Sequence, residues 1–284
     1  MSIKKKYRLL CLILAGVVLL SLVGLLWYRA DWRFRLWNAI RIYPKPDLSA
    51  VELSNLRAVT FDEARYGENW NELLVLINDR NPLPKDFEPT LVEYNGAMMH
   101  PAMVEAYVAL RDAILEQTGE RIYVAADYRT ADEQGAILQE KGDELAAAVG
   151  HSEHEAGLAL DVYVKGYGGM SFLKTEAGRE VSRICGEYGF IIRYPEGKEE
   201  ITGIFYEPWH LRYVGQPHAR IMMESGLTLE EYLELLEVGV WYESGEYLVG
   251  RFDSESLELP VGDIAEWSVS PDNKGYYIVT AKRG

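Results

Sequence analysis

Cysteine and histidine are scarce in this chain of 284 residues, with two of the first and five of the second. Cys11 lies inside an apolar run and Cys185 far beyond it, so a disulfide framework is excluded as a basis for the fold. Positive charge is scarce after position 45, where 20 Lys and Arg face 43 Asp and Glu. An acidic body cannot replace the counterions of a phosphate backbone, so no nucleic-acid partner is expected. A small peptide substrate is compatible with that charge. Internal repeats and low-complexity segments are absent, which removes solenoid and disordered-array readings.

What is present begins with the amino terminus. Lys4, Lys5, Lys6 and Arg8 precede an uncharged run from Leu9 to Tyr28. Twenty helical residues at about 1.5 Å each match a hydrocarbon core of about 30 Å. Trp27 and Tyr28 suit an interface. The run is longer than the apolar part of a usual signal peptide, no A-x-A cleavage site stands out, and Cys11 stands too early for a lipoprotein signal. The expectation is a single uncleaved transmembrane anchor over 9–28, with a short cytoplasmic tail over 1–8. A cleaved signal peptide is the alternative. Arg29, Arg33, Arg35 and Arg41 follow the run and nearly balance the charge across it. The outward orientation of the body therefore leans on the functional reading.

Residues 29–60 read as a stalk or lead-in, and "NELLVLINDRNPLP" as a short strand over Leu73–Ile77 ended by Pro82 and Pro84. Residues 101–118 predict a helix with Met103, Tyr107, Leu110 and Ile114 on one face and Gly119 as its stop. "RIYVAAD" and "GLALDVYV" predict strands, and Thr130 with Glu133 a capping box for a helix over 131–140. Further helices are expected over 176–188 and at "LEEYLELLE", with strands at "FIIRY" and "WHLRYVG". Without regular β-α-β alternation, the expected class is α+β. From about 239 the texture becomes β-like, so the expected organisation is a main domain over 61–238 and a small β-rich extension over 239–284.

Six residues separate His154 from Asp161, with Gly157 between them to permit a sharp turn. "EPWH" supplies His210, with Glu207 three residues before it. Zinc takes His nitrogen and carboxylate oxygen, and a catalytic zinc needs three protein ligands and one open position. A nearby carboxylate is then suited to general-base work. Each piece has a plainer reading. A lone His is usually a surface or hydrogen-bonded residue. A lone Asp inside an apolar strand is costly unless paired, which favours a metal and an ion pair alike. Spacing alone leaves those two readings level.

The text around these residues resembles a known family. "SEHEAGLALD" fits the S-x-H-x-x-G-x-A-x-D pattern of the LAS metallopeptidases at every defined position, and "EPWH" fits their E-x-W-H pattern. "NPLP", "YRTADEQ" and "GFIIRYPEGKEEITGIFYEPWHLRYVG" are similar to VanY-type D-alanyl-D-alanine carboxypeptidases, over roughly residues 70–238. The resemblance implies a LAS-type domain, with a central, mostly antiparallel sheet flanked by helices. It implies one Zn2+ per chain, held by His154, Asp161 and His210, with Glu207 as catalytic base. His151 falls outside the pattern, because the ligating His stands two after Ser152. Arg129 matches the arginine that binds the substrate carbonyl or its developing oxyanion. Ser152 and Gln134 match positions that hold the terminal carboxylate, although Thr130 stands where the family often has Ser. Trp209 is expected beneath the site, as an orienting side chain or a plain core aromatic.

The formal S-x-x-K match Ser171–Lys174 lacks a following K-T-G, because the text there is "KTE". The expected function is removal of the terminal D-Ala from peptidoglycan stem peptides by a bacterial membrane-anchored, extracytoplasmic zinc carboxypeptidase. The partners implied are a stem peptide ending in D-Ala and a lipid bilayer. The alternatives are an L,D-carboxypeptidase or endopeptidase of the same superfamily, and a non-catalytic wall-binding module.

Overall fold

Two antiparallel sheets organise the computed structural model, which describes residues 3–142 and 146–284. Met1 and Ser2 of the expected cytoplasmic tail, and residues 143–145 of the expected main domain, lie outside the described residues. In chain order the elements are α1 (Ile3–Tyr28), α2 (Ala30–Ile40), β1 (Ser49–Val51), β2 (Leu56–Ala58), α3 (Phe61–Arg65), β3 (Val92–Tyr94) and β4 (Ala97–Met99). Next come α4 (Pro101–Thr118), β5 (Ile122–Ala126), α5 (Ala131–Lys141), β6 (Ala159–Val164), α6 (Glu176–Ile184), β7 (Phe190–Ile192), α7 (Glu199–Thr202) and β8 (His210–Tyr213). The chain closes with α8 (His218–Ser225), α9 (Leu229–Leu235), β9 (Trp241–Ser244), β10 (Tyr247–Phe252), β11 (Glu258–Pro260), β12 (Ile264–Pro271) and β13 (Tyr277–Arg283).

The first sheet runs β5-β6-β8-β7. Strand alternation gives it two unlike faces. Leu160 and Val162 of β6, Phe190 and Ile192 of β7 and Leu211 of β8 join one apolar core with Met103, Tyr107, Leu110 and Ile114 of α4. These four helix residues recur at the spacing of one helix face, and burying each stabilises by about 2 kcal/mol. Helix α4 is framed by Pro101 in its first turn, the His100 side chain accepting from Ala102 N, and Gly119 in the left-handed region at φ 72°. The alternate strand positions, Asp161, His210, Arg212 and Ile191, turn to the other face.

The second sheet runs β1-β9-β10-β13-β12. Its outer strand β1 comes from the segment expected as a stalk, and β2 from the same segment pairs with β11. Residues 29–60 are thus not a free stalk. Strand β1 extends the carboxyl-terminal sheet and β2 forms a separate two-stranded ladder with β11, with Leu56, Val59 and Leu257 packed in one core beside them. The expected strand Leu73–Ile77 is also corrected. These residues form no strand ladder: Leu73 and Leu74 lie in a turn, and side chains take the segment's carbonyls. Arg212 donates to the Leu73 and Val75 carbonyls, Arg193 to that of Ile77 and Asn273 to that of Leu76.

Among the described residues no single helix is long and apolar enough to cross a membrane. Leu10–Leu25 and Ala30–Ile40 qualify only together, as a pair bent by 100°. The straight single span expected over 9–28 is therefore not supported as such.

His218 joins the two halves of the body. Its ring nitrogens bond to Tyr232 Oη at 2.6 Å and Thr280 Oγ1 at 2.9 Å. Burial holds its pKa down to about 3, far below an ordinary histidine. Below about pH 6.5 the unfolded chain takes up this proton while the folded chain refuses it, so stability falls as pH drops toward 3. Between pH 6.5 and 5 the wild type should lose about 2 kcal/mol more than His218→Gln, measured by urea unfolding.

Candidate metal centre

The ladder between β6 and β8 sets Asp161 directly opposite His210, and side chains at opposite positions share a face. A one-residue slip would send both into the apolar core, so the burial of Leu160, Val162 and Leu211 holds the pair in register. His154 arrives from a tight helical turn, Glu153–Ala156, that ends at Gly157. Gly157 has φ 67°, the left-handed region that favours glycine, and an added Cβ would also press on Leu91. That reversal brings the turn back over β6.

His154, Asp161 and His210 converge, with one ligand atom from each within 4.8 Å of the others. Asp161 Oδ1 lies 3.5 Å from His154 Nε2 and 3.0 Å from His210 Nδ1. Two ligands about 2.0–2.1 Å from a tetrahedral ion lie about 3.3 Å apart, so this donor set fits zinc. The free ring nitrogens fit it too. His154 Nδ1 donates to the Asp127 carbonyl at 2.7 Å, which leaves Nε2 as the lone pair. His210 turns Nε2 to Glu153 Oε2 at 3.4 Å, which leaves Nδ1. Both rings are buried, stand 5.0 Å apart edge to face, and Tyr194 covers His210 at 4.9 Å.

Burial alone would raise the Asp161 carboxyl, but hydrogen bonds from both histidines outweigh it and hold the group well below the carboxylate range. Burial likewise opposes the His210 imidazolium, yet Asp161 and Glu153 outweigh it and push the pKa up to about 10. The pocket is therefore electronegative, as a cation site requires.

Glu207 Oε2 is 3.8 Å from His210 Nδ1, on the same side of the site, with its side chain 28% exposed. Its backbone is fixed by Glu207 N donating to the Tyr194 carbonyl. Arg129 enters from the start of α5, where its N donates to the His154 carbonyl at 3.2 Å. Its Nη1 donates to Gln134 Oε1 at 2.7 Å. Gln134 is 1% exposed and its Nε2 donates to the Ala147 carbonyl at 2.5 Å. Both ends of that amide are thus engaged, and Gln134 meets the cleft through Arg129. Ser152 is buried beside His154, its N facing Glu155 Oε2. Trp209 packs, half-buried, against the α4 core.

The histidines and the S-x-x-K match that the sequence set apart from the site are engaged elsewhere. His151 bonds through Nδ1 to the Asn78 carbonyl, and His100 caps α4. Ser171 donates to the Gly168 carbonyl while Lys174 is exposed, so the S-x-x-K match forms no nucleophile pair. Residues not singled out in the sequence also belong here. Glu153, Arg193 and Arg212 are buried behind His210, and Glu230 reaches in from α9. The signal that would have found them is charge within apolar strands, Arg193 after "FII" and Arg212 within "HLRY".

Two histidines and an aspartate on the polar face of an antiparallel sheet, with a glutamate and an arginine at the rim, define a zinc-peptidase type of centre. The profile of the family described as VanY, D-alanyl-D-alanine carboxypeptidase, matches residues 96–216. A D-alanyl-D-alanine carboxypeptidase of Enterococcus faecium is 48% identical over 40% of this chain and 37% of its own length, so the chain spans little over a third of that relative. The bifunctional D-Ala-D-Ala dipeptidase and carboxypeptidase VanXYC of Enterococcus gallinarum is 37% identical over 57% of this chain and 94% of its own. Among solved structures, a mutant of the vancomycin-resistance D,D-pentapeptidase VanY in complex with Zn(II) superposes with TM-score 0.52 at 34% identity, covering 57% of this chain and 98% of that one. The LdcB LD-carboxypeptidase superposes with TM-score 0.54 at 35% identity, covering 58% of this chain and 87% of that one. The chain belongs to the VanY family of D-alanyl-D-alanine carboxypeptidases.

Proposed function

We infer that this chain is a zinc-dependent carboxypeptidase that removes the terminal D-Ala from peptidoglycan stem peptides. The convergence of His154, Asp161 and His210 beside Glu207 carries the reading. Relatives acting on D-Ala-D-Ala support the substrate class.

Zinc, when bound by His154, Asp161 and His210, supplies a Lewis acid that polarises the scissile carbonyl and acidifies water. Glu207 accepts a proton from the attacking water and delivers it to the departing D-Ala amine, so the peptide C–N bond breaks as the new C–O bond forms. Arg129 offers guanidinium N–H groups to the carbonyl oxygen as negative charge develops on it. Gln134 holds Arg129 through its Oε1 and is a positioning residue in this scheme, rather than a direct carboxylate ligand. Ser152, buried next to His154 in the chain, is proposed as a holder of the substrate's terminal carboxylate. Trp209 contributes by packing.

An L,D activity has a specific support, the similarity to LdcB. The two are separated by giving the full chain, in detergent, a pentapeptide ending in D-Ala-D-Ala and the tetrapeptide ending in a single D-Ala. Release from the pentapeptide with an inert tetrapeptide is the expected result. Release from the tetrapeptide alone would move the assignment to L,D specificity.

The chain is further proposed to be held at the outer face of a bacterial membrane by α1, with the main domain over 61–238 outside and the β-rich part over 239–284 beside it. Two observations support this. Basic residues Lys4, Lys5, Lys6 and Arg8 precede the apolar run, and large apolar side chains described in it, Leu12, Leu19 and Leu20 among them, are exposed.

A further inference from the structure

Behind His210, on the side away from Asp161, lies a charge-balanced cluster of two carboxylates and two guanidinium groups. Glu153 Oε1 accepts from Arg193 Nε at 2.6 Å and Arg212 Nη1 at 2.7 Å, and Glu153 Oε2 is left to His210 Nε2 at 3.4 Å. Arg212 is tied to the segment 73–77 through the Leu73 and Val75 carbonyls. Arg193 makes a two-pronged pair with Glu230 at the start of α9, at 2.6 and 2.9 Å. Glu153, Arg193 and Arg212 are all 1% exposed or less.

We propose that Glu153 is a positioning residue of the metal centre, holding the His210 ring with Nδ1 toward the ion. With Asp161 and His210 both given to the ion, Nδ1 keeps its lone pair and the one ring proton sits on Nε2, where the Glu153 carboxylate, which accepts and cannot donate, faces it. The two histidine ligands thus use opposite nitrogens, each selected by an acceptor behind it. For His154 that acceptor is the Asp127 carbonyl, fixed by the backbone. For His210 it is a side chain, so it must itself be clamped, and the two arginines do this. The clamp reaches α9 and residues 73–77, elements that contribute nothing else to the centre. This proposal rests on His210 being a zinc ligand.

Its test is zinc affinity, by competition with a chromophoric chelator, in the full chain. Glu153→Gln should weaken binding 10- to 100-fold. Glu230→Gln, which alters the same cluster without touching His210, should leave the zinc Kd about unchanged while lowering stability. An unchanged Kd in folded Glu153→Gln, with His210→Ala strongly weakened, overturns the proposal alone. An unchanged Kd in His210→Ala overturns the ligand assignment and the proposal with it. If Glu153→Gln does not fold, the wild type decides. Histidine nitrogen NMR of the zinc-loaded chain should place the His210 proton on Nε2, protected from exchange, and the His154 proton on Nδ1. A His210 proton on Nδ1, or one on Nε2 exchanging freely with solvent, overturns it.

Discussion

Glu207→Gln should lower kcat on a D-Ala-D-Ala pentapeptide by about 10²- to 10⁴-fold, the usual worth of a positioned general base. Zinc affinity should hardly change, because Glu207 is not one of the three converging ligands. Folding should survive as well, since the side chain lies at the rim and glutamine keeps its shape. The split between lost turnover and retained metal separates a base from a ligand. Activity within tenfold of wild type would remove Glu207 from the proton-transfer role.

Arg193→Met should produce a large loss of stability, about 3–5 kcal/mol. The guanidinium is fully buried between Glu153 and Glu230, and its removal leaves both carboxylates without it in a water-poor site. Burial would raise the Glu153 carboxyl, and Arg212 and Arg193 together reverse that and hold it below the usual range. A domain of this size has about 5–15 kcal/mol in total, so the midpoint of urea unfolding should fall visibly. Arg57→Ala is the control. Its pair with Glu63 is about half exposed on both sides, and its loss should cost less than about 1 kcal/mol. Equal effects from the two changes would mean that the buried cluster contributes nothing special.

How legible these features were in the chain depended on whether they were local. The helix Pro101–Thr118 could be read from four apolar residues, a proline and a glycine, all within its own span. Strand β6 could be read the same way, and its interior aspartate was conspicuous because an unpaired buried carboxylate is costly. The meeting of His154 with His210 is a pairing over more than fifty residues, and spacing alone left it level with an ion pair. Only the two-motif resemblance singled those residues out.

What escaped was carried by contacts with no local trace. Residues 29–60 look like a lead-in because β1 and β2 are three residues each, and their partners lie about two hundred residues on. Leu73–Ile77 has the composition of a strand, but arginine side chains from β8 and the end of β7 occupy its carbonyls. Glu153 stands at an undefined position of its motif, so nothing there marked it. The same cost argument that flagged Asp161 applies to Arg193 and Arg212 and would have exposed the cluster.

The most direct measurement is D-Ala release from a D-Ala-D-Ala pentapeptide by the purified full chain as zinc is removed and restored. Activity should vanish when the metal is stripped and return in proportion to zinc, saturating at about one ion per chain. Release that persists after complete zinc removal, or a fully zinc-loaded chain that releases no D-Ala, would contradict it.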